Sequence, residues 1–208
     1  MKNYFKLNVA LLSSSLYVSF QLFANILSTK ITVLPLVNLA VDGGTIIYPF
    51  TFTLRDFVHK TWGKKNARQV VIIAALLNAV MFGLFWLIGK MTPDPSWPNQ
   101  QAYDAILSPV GRIVFASIVS QIISELVDTE IFSIIYKKIN DIAAVFISNF
   151  VSLIIDSVIF SLLAFFGAMP FDIVLQIIVA NILIKMAISI LSTPFIKLIP
   201  RLVDFKEI

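Results

Sequence analysis

Two stretches of the sequence repeat each other, and each carries a carboxylate inside a hydrophobic segment. Residues 120–135 and 148–163 share the pattern S-[QN]-x-x-S-x-x-x-D-[TS]-x-I-F-S at an offset of 28 residues, which places Asp128 and Asp156 in matched positions. A charged side chain at membrane depth costs a few kcal/mol unless it is paired or faces water, so it indicates a functional site. The repeat therefore predicts a polar binding cavity inside a helical membrane protein. The alternative is that Ser and Asn only hold two helices together through close packing and hydrogen bonds.

Other polar side chains fall on single faces of the predicted helices. Around Asp128, polar residues recur at i, i+3, i+4 and i+7, which is one face of a helix, and three other apolar segments carry similar polar stripes. The predicted substrate-binding set consists of Gln21, Asn25, Gln121, Ser124, Glu125, Asp128, Asn149, Ser152, Asp156, Asn181 and Lys185.

The depth of these groups follows from the helical rise of about 1.5 Å per residue. If the two repeat helices run antiparallel, the amide and hydroxyl groups of each lie level with the carboxylate of the other. Lys185 lies between the two acids, where an ion pair with a carboxylate would relieve the burial of the charges. For Lys185, this structural role and a ligand-binding role stay open side by side.

These donors and acceptors suit a flat, polar heterocycle. A carboxylate accepts two N–H donors from a guanine-like edge, and an amide binds a carbonyl and a ring nitrogen together. Aromatic faces such as those of Tyr17, Phe160 and Phe165 can stack on a ring. The chemistry alone does not choose among heterocycles. Ion conduction is the weaker interpretation, because a selectivity filter needs rings of like groups.

The composition is that of a membrane protein. Apolar residues make up 58% of the chain, charged residues make up 13% and cysteine is absent, whereas soluble proteins average about 25% charged residues. We interpret the chain as a single transmembrane domain, residues 1–208, embedded in the lipid bilayer without a separate soluble enzyme. Because there is no Cys and a single His, His59, we expect no thiolate or His-rich metal site, no Ser-His-Asp catalysis and no cofactor.

Six transmembrane helices, an all-α fold, are predicted to position the polar groups. They cover residues 7–28, 44–59, 67–89, 108–136, 142–166 and 171–196, of which the second is the shortest. Residues 30–43 are apolar but broken by Pro35 and Gly43, and we expect an ordered loop over the outer mouth, between the first two helices. Residues 91–100 are predicted to be a turn-rich exterior loop with Trp97 at the membrane interface.

The distribution of basic residues predicts the orientation. Eleven Lys and Arg residues fall near the termini and in two loops on one side, whereas the opposite loops carry only Lys30, Lys90 and Arg112. This positive-inside bias predicts that both termini are cytoplasmic and that the protein lies in the inner (plasma) membrane. The net charge of +4 is therefore interpreted as a topology signal and not as a sign of nucleic-acid binding.

Residues 44–68 resemble the second-helix signature of the VUT family, first called vitamin uptake transporters and now regarded as queuosine-precursor transporters. The family pattern, P-x-T-F-x-x-x-D-x-x-N-E-x-[YW]-G-[KR]-x-x-A-R, is matched except that His59 and Lys60 stand where the family has Asn and Glu. The S-x-x-x-D-x-x-[IV]-F motifs of both repeats match as well, as do Lys185 and the Thr-Pro pair at 193–194.

The resemblance implies a six-helix importer of 7-cyano-7-deazaguanine, 7-aminomethyl-7-deazaguanine or queuine, which are salvaged for tRNA modification. Glu125 and Leu153 stand where the family motifs have Gln. Losing an amide and gaining a carboxylate suits a donor-rich or cationic base, such as an aminomethyl base or queuine. The resemblance also implies a coupling or gating role for Asp56 beside Arg55, for which a local Arg55–Asp56 ion pair is the alternative.

A second function class stays open. The chain is also compatible with a substrate-binding subunit that needs a separate ATPase module, as in ECF-type vitamin transporters, which also have six helices and a loop over the mouth. Uptake by this chain alone, in cells without an ECF module, distinguishes the two. We expect no enzyme activity, because no nucleophile–base pair is recognisable. The sequence leaves open the driving ion, the preferred precursor and the oligomeric state, homo-oligomers included.

Overall fold

The computed structural model describes residues 8–35, 37–138 and 141–192, with the side chains of Glu125 and Asp128 outside the part it describes. Its α-helices are α1 (Val9–Leu27), α2 (Phe50–Trp62), α3 (Lys64–Lys90), α4 (Gln100–Leu107), α5 (Val110–Lys138), α6 (Asp141–Phe165) and α7 (Phe171–Ser192). The strands β1 (Ile31–Leu34) and β2 (Leu39–Asp42), followed by a 3-10 turn (Gly43–Ile46), join α1 to α2. The Thr-Pro pair at 193–194 lies outside the described residues.

Several helices are suited to a bilayer. Four stretches of the described chain are long and apolar enough to cross one: Val9–Leu27, Lys65–Lys90, Gln100–Ser124 and Phe171–Leu191. Asn149–Phe165 is a shorter apolar helix. The protein is therefore a helical, multi-pass membrane protein. The predicted second span corresponds to the 3-10 turn and α2, whose 13 residues rise only about 20 Å, so the number of six spans stays a prediction.

The segment between α1 and α2 is ordered, but it is not only a loop. β1 and β2 pair antiparallel, with Ile31 opposite Asp42 and Leu34 opposite Leu39. Asn38 occupies the turn with a φ of 52°, a left-handed conformation that Asn tolerates better than most residues. The backbone N–H of Ala40 donates to Gln176 Oε1 on α7 at 3.1 Å. This bond attaches β2 to α7, so the hairpin is part of the bundle.

Two further local features define where the helices begin and end. Gly63 ends α2 with a φ of 85°, a positive value that favours a residue without a Cβ at the end of a helix. The turn-rich loop predicted for residues 91–100 is present up to Asn99, and α4, which was not predicted, lies between this loop and α5. α4 has eight residues, about two turns, and so short an element leaves only a weak periodic signal. Trp97 lies against Tyr103 of α4, with 6.2 Å between ring centroids.

Two apolar clusters hold the helices together. One joins β2, α5, α6 and α7 through buried residues such as Ala116, Phe165 and Ile177. The other joins α1, α2 and α3 through residues such as Tyr17 and Val58. Helices from both clusters line the polar cavity described next.

Candidate functional site

A small polar cavity lies where α1, α5, α6, α7 and the segment after β2 meet. Its volume is about 20 Å³, which is room for one water molecule and far below the roughly 300–1,000 Å³ of ligand pockets. Its lining residues are Ala24, Asn25, Ser28, Asp42, Gly44, Thr45, Tyr48, Ser117, Ser120, Asp156, Phe160, Asn181 and Lys185. The structure therefore shows a polar site that is closed around its own side chains.

The centre of the site is an ion pair between α6 and α7. Lys185 Nζ donates to Asp156 Oδ2 at 2.6 Å, and both side chains are 3% exposed. The ammonium group also lies 5.0 Å from the centroid of the Tyr48 ring, where the negative face of the ring attracts it. The pairing of Lys185 with a carboxylate, predicted from their depths, is confirmed for Asp156. It relieves two charges that would each be costly to bury alone.

One carboxylate oxygen of this pair stays unused by the described residues. Asp156 Oδ1 is buried and has no hydrogen-bond partner among them. Buried polar atoms in native proteins nearly always have a partner, so this oxygen needs an explanation. Because Asp156 lines the cavity, Oδ1 is a free acceptor inside a binding-site candidate.

A second buried carboxylate, Asp42, lies at the end of β2 on the same cavity. It is 1% exposed. Ser28 Oγ donates to its Oδ1 at 2.6 Å, and Thr45 Oγ1 is 2.7 Å from its Oδ2. In the part of the chain that the structure describes, no Lys or Arg forms a salt bridge with Asp42. Among the described residues, Asp42 is therefore held by hydroxyl groups and not by a cation.

Asn181 connects the second carboxylate to the helices. It is fully buried on α7, four residues before Lys185. Its Nδ2 donates to Ser161 Oγ on α6 at 3.2 Å, and its Oδ1 is in hydrogen-bond contact with Thr45 Oγ1. The i, i+4 spacing puts Asn181 and Lys185 on one face of α7, as predicted.

Glycine allows the hairpin segment to approach α1. A Cβ on Gly44 would lie 2.1 Å from Ser28 Oγ and 2.4 Å from the carbonyl oxygen of Ala24. Only a residue without a side chain fits so close to the helix backbone. Gly44 thus places Asp42 and Thr45 within reach of Ser28.

The structure brings four predicted site residues to the cavity and others to neighbouring positions. Those that line the cavity are Asn25, Asp156, Asn181 and Lys185. Gln21 and Gln121 both donate to Tyr17 Oη, at 3.3 and 2.9 Å. These two amides meet across α1 and α5, but outside the cavity lining.

Besides Gln121, three predicted residues of the repeats are not among those that line the cavity. Ser124 Oγ donates to the carbonyl of Gln121, and Ser152 Oγ to that of Asn149, each at 3.1 Å within its own helix. Asn149 itself is exposed. The side chains of Glu125 and Asp128 lie outside the described part of the chain. The symmetric arrangement of two carboxylates, each opposite the other helix's amide, stays a prediction.

Arg55 and Asp56 lie on α2, outside the cavity lining. Arg55 Nη2 is 3.8 Å from Asp56 Oδ1, and both side chains are partly exposed. The guanidinium carbon is also 5.8 Å from the centroid of the Phe52 ring. This geometry shows the local ion pair that was the alternative for Asp56, while a gating role stays a prediction.

Sequence reasoning missed Asp42, Thr45 and Asn78. Asn25 Nδ2 donates to Asn78 Oδ1 at 2.6 Å, and Asn78 Nδ2 donates to the Ala74 carbonyl at 2.9 Å. A signal for Asp42 was present, because a carboxylate follows an apolar stretch and precedes Gly43 and Gly44. Two adjacent glycines beside a lone acid in an apolar segment indicate a close backbone approach around that acid.

Comparisons with known proteins agree with one another. A family described as "Putative vitamin uptake transporter" matches residues 42–199, which is most of the chain. A relative from Bacillus subtilis (strain 168), named "Probable queuosine precursor transporter", is 27% identical over 168 residues, covering 77% of this chain and 72% of the relative. No solved structure matches at a significant level.

Proposed function

The chain belongs to the vitamin uptake transporter family, and from this premise we propose that it imports queuosine precursors across the inner membrane. The proposed solutes are 7-cyano-7-deazaguanine, 7-aminomethyl-7-deazaguanine and queuine. They share a flat, polar bicyclic ring with N–H donors on one edge. The name of the Bacillus subtilis relative supports this choice.

The observation that carries the proposal is the unpartnered Oδ1 of Asp156 on a buried polar cavity. A carboxylate oxygen accepts hydrogen bonds only, so it suits an N–H group of the solute. Oδ2 is already bound by Lys185, so Asp156 would accept one N–H from a guanine-like edge rather than two. A hydrogen bond to a charged acceptor contributes about 1.5–3 kcal/mol, which is enough to fix the orientation of the ring.

Neighbouring groups supply the rest of a site for a heterocycle. The amides of Asn25 and Asn181 offer both donors and acceptors, and both line the cavity. Phe160 and Tyr48 place aromatic rings on the same lining, where a flat base can stack. In this proposal Lys185 acts twice, because it neutralises Asp156 and can donate to a carbonyl of the solute.

Solute binding requires the cavity to expand. A volume of about 20 Å³ cannot hold a bicyclic base, so α1 and the hairpin segment must separate from α6 and α7 in a loaded state. Closure around a solute and reopening on the other side is the motion that alternating access needs. Four predicted residues on the cytoplasmic halves of the repeat helices are proposed to meet the solute on its way through: Glu125, Asp128, Asn149 and Ser152. Gln121 and Ser124, nearer the outer half and the middle of α5, are proposed to meet it earlier.

The topology is part of the proposal. We propose six spans from the lengths of the apolar segments, and cytoplasmic N and C termini from the bias of basic residues toward one side. A reporter fused after Ile208 that is active only in the periplasm should stay silent, and a reporter active only in the cytoplasm should give signal. The opposite pattern would overturn the proposed orientation.

The test of function is rescue of queuosine in tRNA. The host should lack both precursor synthesis and its own importer, and each precursor is supplied in the medium. We expect the wild-type chain to restore queuosine and Asp128→Asn to lose it at wild-type levels in the membrane. Asp156→Asn should lose it even when the signal is normalised to the folded protein that remains in the membrane. Asp172→Asn is the matched control, because Asp172 is an exposed acid at the start of α7.

Two results would contradict the proposal. Absence of queuosine with a well-expressed wild-type chain, together with uptake of riboflavin or biotin, would exclude the solute class. Rescue only in hosts that contain an ECF ATPase module would favour a substrate-binding subunit over an importer that acts alone. The host is therefore tested with and without such a module.

A further inference from the structure

The hydrogen count around Asp42 does not close for an ionised carboxylate. Thr45 Oγ1 lies 2.7 Å from Asp42 Oδ2 and is also in hydrogen-bond contact with Asn181 Oδ1. A hydroxyl group has one hydrogen and a carboxylate has none. With Asp42 ionised and the Asn181 amide oriented so that Oδ1 faces Thr45, Thr45 would face two acceptors and one of its two contacts would lack a hydrogen.

One additional proton completes the chain of hydrogen bonds. With a proton on Oδ2, Asp42 donates to Thr45, and Thr45 donates to Asn181. The other carboxyl oxygen still accepts from Ser28 at 2.6 Å, and Asn181 still donates to Ser161 at 3.2 Å. Each contact then has one donor and one acceptor.

Among the described residues, no cation is paired with Asp42. The charged groups that line the cavity with it are Asp156 on α6 and Lys185 on α7, and these two neutralise each other. The remaining titratable group on the lining is the Tyr48 phenol, and Lys30, next to the hairpin, is exposed. An unpaired charge is costly to bury, and Asp42 is 1% exposed without a cationic partner among the described residues.

From these observations we propose that Asp42 is a proton-binding site that couples solute import to the transmembrane proton gradient. The inference rests on the proposed transport function and adds its driving ion. In each cycle the Asp42 carboxylate takes a proton from the outer side to form an O–H bond at Oδ2, and releases it to water on the inner side. No other bond changes.

Asn181 links the proton to the solute. When Asp42 is protonated, Thr45 donates to Asn181 and occupies its carbonyl oxygen. When Asp42 loses the proton, Thr45 turns its hydrogen to the carboxylate, and Asn181 Oδ1 faces the cavity without that donor. The solute meets a different hydrogen-bond pattern in the two states, so proton binding and solute binding must influence each other by the same free energy.

The experiment uses the purified chain in liposomes with labelled 7-cyano-7-deazaguanine and an alkaline interior. A gradient of about one pH unit can support up to about tenfold accumulation if one proton accompanies one neutral solute. We expect the wild type to concentrate the solute and a protonophore to abolish the accumulation. Asp42→Asn mimics the protonated form. Any transport that this variant retains should therefore end when the solute concentrations inside and outside the liposomes are equal. Asp172→Asn should still respond to the gradient.

Infrared spectroscopy tests the proton without any solute. The wild type should show the carbonyl band of a buried carboxylic acid, and Asp42→Asn should lack it. The proposal is overturned if that band is absent from the wild type. Asp42 would then be ionised, and the Asn181 amide would be rotated so that its Nδ2 donates to Thr45. It is also overturned if Asp42→Asn still accumulates solute, or if a sodium gradient drives accumulation instead. A wild type that exchanges no solute refutes the transport function, whereas the infrared result still decides the proton site.

Discussion

Asp156 and Asp42 are buried to the same extent on one cavity, but they are stabilised in different ways. Asp156 on α6 faces an ammonium group 2.6 Å away. Asp42, at the end of β2, has two hydroxyl partners and no cation among the described residues. The first carboxylate is compensated by the ammonium group of Lys185, and the second only by hydroxyl groups whose hydrogens can be rearranged. The same residue type therefore suits a fixed anchor in one place and an exchangeable site in the other.

The largest expected effect comes from removing the fixed charge. Lys185→Met keeps the length of the side chain but leaves the Asp156 charge buried and unpaired, which should lower the free energy of unfolding by about 3–5 kcal/mol. Asp156→Asn should act in the same direction, because it leaves the lysine unpaired. The measurement is the thermal unfolding midpoint in detergent.

The matched control for this pair is Lys90→Met, because Lys90 is an exposed lysine at the end of α3. Its midpoint should stay close to that of the wild type. If Lys185→Met is as stable as this control, the ion pair is not what stabilises Asp156.

A smaller loss of stability is expected from disturbing the close contact between Gly44 and α1, which brings Asp42 to its hydroxyl partners. Gly44→Ala places a methyl group 2.4 Å from the backbone carbonyl oxygen of Ala24, and such overpacking should lower the free energy of unfolding by up to about 3 kcal/mol. Adding Ser28→Ala should not restore stability, because the contact with the backbone remains. Gly83→Ala is the control, since a Cβ there meets nothing within 4 Å. A full rescue by Ser28→Ala would show that the side chain alone limits the approach.

A smaller effect is expected for Ser28→Ala by itself. The change removes the hydroxyl that donates to Asp42 Oδ1 at 2.6 Å, and the loss of one such bond should destabilise the protein by about 1 kcal/mol. The effect stays modest because the cavity has room for one water that can replace the donor. Ser14→Ala serves as the reference, because the Ser14 hydroxyl bonds to the Ala10 carbonyl of its own helix. Equal melting points for both variants would exclude a stabilising role of the Ser28–Asp42 bond.

The smallest change in stability is predicted for Asp42→Asn. An Asn side chain can accept from Ser28 and donate to Thr45, which is the pattern of hydrogen bonds in the proposed site, so the free energy of unfolding should change by less than about 0.5 kcal/mol. The same substitution should therefore lower stability severely at Asp156 on α6 and leave it nearly unchanged at Asp42 on β2. A loss of several kcal/mol with Asp42→Asn, measured by the same melts, would mean that Asp42 is ionised and compensated by a charge.

The sequence predicted what depends on composition and local periodicity. The long helices follow from apolar stretches of about 20 residues, and their observed bounds mostly lie within a few residues of the predicted ones. Asp156 and Lys185 were placed together because both are charges at similar depth in apolar helices. Such charges have few other ways to be stabilised.

The rest of the site depends on contacts that no local pattern contains. Thr45 meets Asn181 across 136 residues of sequence, and Asn25 meets Asn78 across 53. β2 has only four residues, so its alternation is too short to identify a strand that packs against a helix. Asp42 was missed because its role follows from where the hairpin folds, and only the glycines beside it gave a local signal.

The small size of the cavity also sets how tightly a solute can appear to bind. A closed site of about 20 Å³ means that only a minor, expanded population accepts the solute. The apparent dissociation constant is the intrinsic one divided by that population, so a chain that is open about 1% of the time binds about a hundredfold more weakly than its contacts allow. Substitutions that loosen the contact between Gly44 and α1 should therefore increase apparent affinity even as they lower the melting temperature. Weak measured binding by this protein would then report how rarely the site opens, and not how poorly it matches its solute.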